Sequence, residues 1–149
     1  MPFQHVIVAY DGSPESQTAL DRAADLVRST PDSRLTVVHA FHFPNFVVGE
    51  AMVVAPVITE LESISESDRI MDEAKARVGD LPNTSFTMLQ GDPAIAILEN
   101  AEHSGADLIV IGSRGLGTLK EWVLGSVSHH VVQHAKIPVL VIKAPAQGR

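Results

Sequence analysis

The chain has 149 residues with 45% hydrophobic and 19% charged content, which suits a single globular domain with a sizeable core. Its formal net charge of −7 leaves no basic stripe for nucleic acid or anionic lipid, and the lack of cysteine excludes a disulfide framework, a thiolate metal site and a cysteine nucleophile. The start, "MPFQHVIVAYDG", has no basic segment leading into a long apolar run, and no stretch reaches the roughly 18–20 apolar residues of a membrane span, so the expectation is a cytoplasmic protein.

In chain order, residues 6–10 form a short β-branched run that ends at "DGS" and predicts a buried strand. Ser13 offers an N-cap and Pro14 a first helical position. Ala19, Leu20, Ala23, Ala24 and Val27 then follow at helical spacing, which predicts a helix over 14–28. "LTVVHA", 35–40, is a second strand. Residues 41–57 carry Phe41, Phe43, Phe46, Pro44, Gly49 and Pro56, and predict a long connection that either closes over a ligand, binds another protein or packs on its own sheet.

From Thr59 the positions Leu61, Ile64, Met71, Ala74 and Val78 mark one face of a helix ending near Gly79. Residues 85–90 alternate and predict a more exposed strand. Asp92 and Pro93 then open a helix carrying Ile97, Leu98 and Ala101, with Gly105 at its end. Residues 107–111 are a fourth strand. Gly125 and Ser126 open a helix with Val127, Val131 and Ala135 on one face, and "IPVLVIK" is a fifth strand. The expected domain spans 1–143, with 144–149 a frayed tail.

Strands alternate with helices, and four of the five strands are apolar along most of their length. That pattern predicts an α/β fold: a doubly wound, five-stranded parallel sheet with helices on both faces. Ligands in such sheets bind beyond the carboxyl ends of the strands, here near Asp11, Ala40 and Gly112.

Two glycine turns follow the fourth strand. The P-loop pattern fails because Thr118-Leu119 stands where lysine and a hydroxyl residue are required, and the dinucleotide fingerprint fails at Lys120. The physical logic survives both failures. Gly112 and Gly115 bring backbone amides close to a ligand, while Gly125-Ser126 adds the unpaired N–H groups and positive dipole end of a helix, with the Ser126 and Ser128 hydroxyls as further donors. The plain alternative is that these glycines only shape turns and caps.

The whole pattern resembles the universal stress protein family. The resemblance rests on "IVIGSRGLGTLKEWVLGSVSHHVV" with "IPVLVIK", on "VIVAYDGS", on "LTVVHAF" and on "GDPAIAIL", and so runs along nearly the whole chain. Gly112, Gly115, Gly125 and Ser126 fit the glycine, two, glycine, nine, glycine-serine spacing of its nucleotide-binding members. The resemblance implies a Rossmann-like sheet in the order 3-2-1-4-5. It implies ATP, ADP or AMP held by Gly112, Ser113, Arg114, Gly115, Gly125, Ser126, Val127 and Ser128, with Ala9, Asp11 and Ala40 on the adenine and ribose side. It also implies a homodimer that pairs its last strands, residues 138–143, begun by Pro138 and closed by Lys143.

Several roles stay open at this level. Arg114 either pairs with phosphate or points to solvent, and Asp11 either holds Mg²⁺ and nucleotide or caps the turn before the first helix. His130 and His134 have the spacing of a metal pair without a third ligand, and His39 reads as a hydrogen-bonded core residue. No complete catalytic set is evident, so slow ATP hydrolysis is the most that the residues allow. The leading expectation is an ATP-binding stress-response protein whose nucleotide occupancy modulates shape or partners. The competing one is a nucleotide-independent dimeric scaffold.

Overall fold

The structure is a computed structural model that describes residues 3–41, 55–114 and 124–143, with side chains of the second helix described from 64 onward. Its elements are β1 (His5–Ala9), α1 (Pro14–Arg28), β2 (Arg34–Phe41), α2 (Ala55–Val78), β3 (Thr84–Gln90), α3 (Pro93–Ser104), β4 (Leu108–Gly112), α4 (Ser126–His134) and β5 (Val139–Ile142). All neighbouring strands pair in parallel, in the order β3-β2-β1-β4-β5. This is the doubly wound sheet that the alternating pattern predicts. Most of the long connection after Phe41, the loop after Arg114 and the last six residues lie outside the described residues.

Strand alternation splits the core into two layers. Val6, Val8, Leu35, Val37, Leu108 and Val110 face α1 and α2, where Ala19, Leu20, Ala23, Ala24, Val27, Ile70, Ala74 and Val78 cover them. Ile7, Val38, Ile109 and Ile111 face the other way, against Ala94, Ile97 and Ala101 of α3 and Val131 of α4. Runs buried on both faces explain why β1, β2 and β4 read as continuous apolar segments. β3 and β5 form the two edges, and each mixes half-buried with exposed positions.

The helix starts follow their caps. The Ser13 side chain accepts from the Ser16 amide, and the Asp92 side chain from the Ile95 amide, each with proline at the next position. One helix departs from its expected limits: α2 begins at Ala55 rather than Thr59. Pro56 sits in its first turn, where a missing N–H costs nothing, so the proline opens the helix instead of preceding it. Ile64 departs as well, being 40% exposed although its spacing matches the buried Met71, Ala74 and Val78. Among the described residues no helix is long and apolar enough to cross a membrane.

The amino-terminal edge of the sheet carries a polar lock. The Asp107 carboxylate accepts from the Gln4 and His5 amides at 2.9 and 3.1 Å, so this acid sits at the end opposite the expected site. The buried His5 ring lies between Thr36 Oγ1, 2.8 Å from Nε2, and the Arg34 guanidinium, 3.3 Å from Nδ1. Burial first, and then the Arg34 charge, push its pKa below the ordinary histidine value. The folded state therefore holds the ring neutral, and the unfolded chain takes up the proton more readily. This contribution to stability is full above the unfolded pKa of about 6.5 and declines as the pH falls towards the lower folded value. Thermal unfolding between pH 7.5 and 5.5 is expected to show a falling midpoint, with a shallower fall in His5→Gln. Equal slopes would mean that His5 does not carry the effect.

Candidate functional site

The topology creates one crevice. After β1 the chain turns through Tyr10, Asp11 and Gly12 into α1 on one face of the sheet, whereas after β4 it goes on to α4 on the other. The carboxyl ends of β1 and β4 are therefore left uncovered between diverging connections, where ligands of such sheets bind. Gly12 makes the first turn possible by adopting φ +85°.

A cleft of about 420 Å³ opens there. Ala9, Val38, Ala40 and Ile111 form an apolar floor, and Pro93 and Ile97 of α3 line one side. Asp11, Arg114 and the start of α4 form a polar end. Of the eleven residues named from the sequence, the structure brings nine round this cleft: Ala9, Asp11, Ala40, Gly112, Arg114, Gly125, Ser126, Val127 and Ser128. Ser113 stands behind the lining, and Gly115 lies outside the described residues, as does Lys120.

The two turns are joined directly. The Ser113 carbonyl accepts from the Gly125 amide at 2.7 Å and from the Ser128 hydroxyl at 2.6 Å. The Ser113 amide in turn donates to the Ile142 carbonyl of β5 at 2.7 Å. Ser128, expected as a ligand donor, has spent its only hydroxyl proton in stitching the turns together. Gly112 also has a structural cause, since a Cβ there would stand 2.7 Å from Glu15 Cβ and 3.1 Å from the Glu15 carbonyl carbon.

The first three amides of α4 have no acceptor among the described residues. Gly125 is the N-cap and has no side chain to bond them. Among the described residues, none accepts from the N–H groups of Ser126, Val127 or Ser128, all three at the cleft. An unfilled helix start facing an apolar slot is suited to an anion carried on an apolar group.

The charged residues are more engaged than their spacing suggests. One Asp11 oxygen accepts from the Ser13 amide at 2.9 Å, which is the turn-capping role, while Oδ2 accepts from none of the described residues. Arg114 neither points freely to solvent nor stands alone: its Nε lies 3.3 Å from Glu15 Oε2, with the Glu15 side chain only 7% exposed. The sequence reading did not single out Glu15. An acid in the first turn of a helix is ordinary dipole compensation, and spacing gives no sign that β4 delivers an arginine to it.

His39 is the core histidine expected, and it also borders the cleft. Its Nδ1 is 2.9 Å from the Tyr10 carbonyl and therefore carries the proton, which leaves Nε2 to accept from the buried Ser67 hydroxyl at 3.2 Å. The Tyr10 hydroxyl donates to Glu73 at 2.8 Å, and burial, reinforced by that carboxylate, raises its pKa well above the usual phenol range. These bonds tie the β1 turn to α2. The His130 and His134 rings lie 4.5 Å apart on α4, and the described residues contain no group of three side chains that could hold a metal.

Fold and cleft together define a doubly wound α/β domain, with a switch-point crevice and a helix start at its polar end. The model of the universal stress protein family matches residues 2–143, and the chain belongs to that family. The universal stress protein YxiE of Bacillus subtilis is 36% identical over 148 residues, covering 95% of this chain and 99% of that one. The structure of the universal stress protein UspA of Lactobacillus plantarum superposes with a TM-score of 0.81 at 24% identity, over 95% of this chain and 99% of that one. A universal stress protein crystallised in complex with cAMP superposes with a TM-score of 0.71 at 28% identity, over 97% of this chain and all of that one.

Proposed function

We propose that the cleft binds an adenine nucleotide, and that occupancy alters the shape or the partners of this stress-family protein. The observation that carries the reading is the trio of amides at the start of α4 that have no acceptor among the described residues, set beside the apolar floor of the cleft. The base lies over Ala9, Val38, Ala40 and Ile111, and the phosphate meets the helix start and Arg114. The cAMP complex of the 28% identical relative supports an adenine ligand. ATP is the nucleotide favoured by the glycine-serine spacing, with ADP and AMP as alternatives. Mg²⁺, if it accompanies the phosphates, has as its protein ligand the Asp11 oxygen that accepts from none of the described residues.

The proposal extends to the assembly. Among the described residues β5 pairs only with β4, and Leu140 is 39% exposed, which leaves this edge available to a second copy. We place the protein in the cytoplasm as a homodimer through 138–143, with one domain over 1–143.

The scaffold reading has its own support. Gly112 is explained by packing against Glu15, and Ser128 by its bond to Ser113. Neither explains the amides at the start of α4. The test is to denature the purified protein, identify any released nucleotide, and titrate ATP and AMP calorimetrically with and without Mg²⁺. Release of an adenine nucleotide, or binding at micromolar concentration, is the expected result. No release and no heat under all these conditions would leave the scaffold as the function.

A further inference from the structure

Two charged side chains and a glycine belong to one unit that the nucleotide reading alone does not require. Glu15 on α1 is buried at the polar end of the cleft and is ion-paired with Arg114. Gly112 makes room for it, since any side chain there would strike Glu15. Among the described residues that line the cleft, Arg114 is the only lysine or arginine. The one lysine or arginine among the described lining residues is thus largely balanced before any ligand arrives.

We propose that Glu15 sets the preference of this cleft for nucleotides of different phosphate charge, by pairing with Arg114 and offsetting its positive charge. This rests on the nucleotide reading above. The pair is not displaced by ligand. Drawing Arg114 away would leave a buried carboxylate without compensation, which is the costly way to break such a contact. The contact uses Nε, and among the described residues nothing bonds the two terminal amino groups of Arg114, which remain for a phosphate oxygen. Glu15 therefore holds the guanidinium by one edge and presents the other. Its own negative charge repels each added phosphate, so the site gains less from a triphosphate than an unpaired arginine would give.

Glu15→Gln separates charge from shape, because the amide is nearly isosteric with the carboxylate while the negative charge beside Arg114 is gone. The Kd values for AMP and ATP, measured by calorimetry without divalent cations at 50 and 300 mM salt, give the readout. Relative to the wild type, Glu15→Gln is expected to shift the AMP-to-ATP ratio of Kd in favour of ATP by roughly five- to tenfold at low salt, and by less at high salt. Arg114→Gln, made at a side chain that is already 25% exposed, reads the pair from the other side and is expected to shift the ratio towards AMP. If Glu15→Gln fails to fold, the double variant Glu15→Gln/Arg114→Gln, which leaves no unpaired charge, stands in: compared with Arg114→Gln its ratio is expected to move back towards ATP. A wild-type protein that binds both nucleotides, with a ratio indifferent to these changes, overturns the role of Glu15 alone. A wild-type protein that binds neither overturns the nucleotide reading and this proposal with it.

Discussion

Gly112→Ala is expected to destabilise the protein by about 2–3 kcal/mol, lowering the thermal midpoint by roughly 5–10 °C. The added Cβ would lie 2.7 Å from Glu15 Cβ, 3.1 Å from the Glu15 carbonyl carbon and 3.3 Å from the Arg114 carbonyl oxygen. Two of those three atoms are backbone, so the neighbour cannot swing aside as a long side chain would. Relief requires moving the first turn of α1, which Ser13 caps and Ser16 ties to the Asp11 turn. Ser16 and Asp11 border the cleft, so ligand affinity is expected to fall as well. Gly125→Ala is the control: its Cβ would meet the Arg114 Cα and the Ser113 oxygen at an ordinary 3.4 Å, with an unstrained φ of −65°. Its cost is expected to be about 1 kcal/mol or less. Equal losses in the two variants would show that the close approach to Glu15 is not what demands glycine at 112.

Ala40→Phe is expected to weaken nucleotide binding by about a hundredfold or more, with little change in the unfolding midpoint. Ala40 follows the buried Val38 by two residues on β2, so its side chain faces the same layer and lines the floor of the cleft. A phenyl group there occupies much of the space left for a planar base. The position is only half-buried, and the ring is not forced into packed core. Calorimetric titration with AMP checks the result. Unchanged affinity in a folded Ala40→Phe would move the base elsewhere.

The core of the fold could be read from the residues because its determinants are local. Val6, Ile7 and Val8 buried on both faces give a continuous apolar run, and Ser13-Pro14 and Asp92-Pro93 mark helix starts through bonds within three residues. Ile64 shows the limit of periodicity. Spacing assigns a face to a helix but not what lies beneath it. Ser67 already meets His39 near the end of β2, and Ile64, one turn nearer the start of α2, is 40% exposed.

The site divides in the same way. Ala9, Asp11, Ala40 and the two turns follow from topology, because ligands in this class of sheet gather at the strand ends. Glu15 and Ser67 do not, since each acquires its role from a partner that the fold supplies from far along the chain. Ser128 was legible as a residue of the site but not in its bonding: whether a hydroxyl serves ligand or backbone depends on where the Ser113 carbonyl comes to rest.

The central claim is that the start of α4 and the end of β4 receive the phosphate of an adenine nucleotide. Amide chemical shifts in a ¹⁵N-labelled sample, followed through titration with AMP and then ATP, test it most directly. The account predicts saturable shifts that are largest at Ser126, Val127, Ser128 and Arg114, with smaller ones at Ala9 and Ala40 and none at Gln4, His5 and Asp107 across the sheet. Shifts confined to that opposite end, or none at all at millimolar nucleotide, would contradict it.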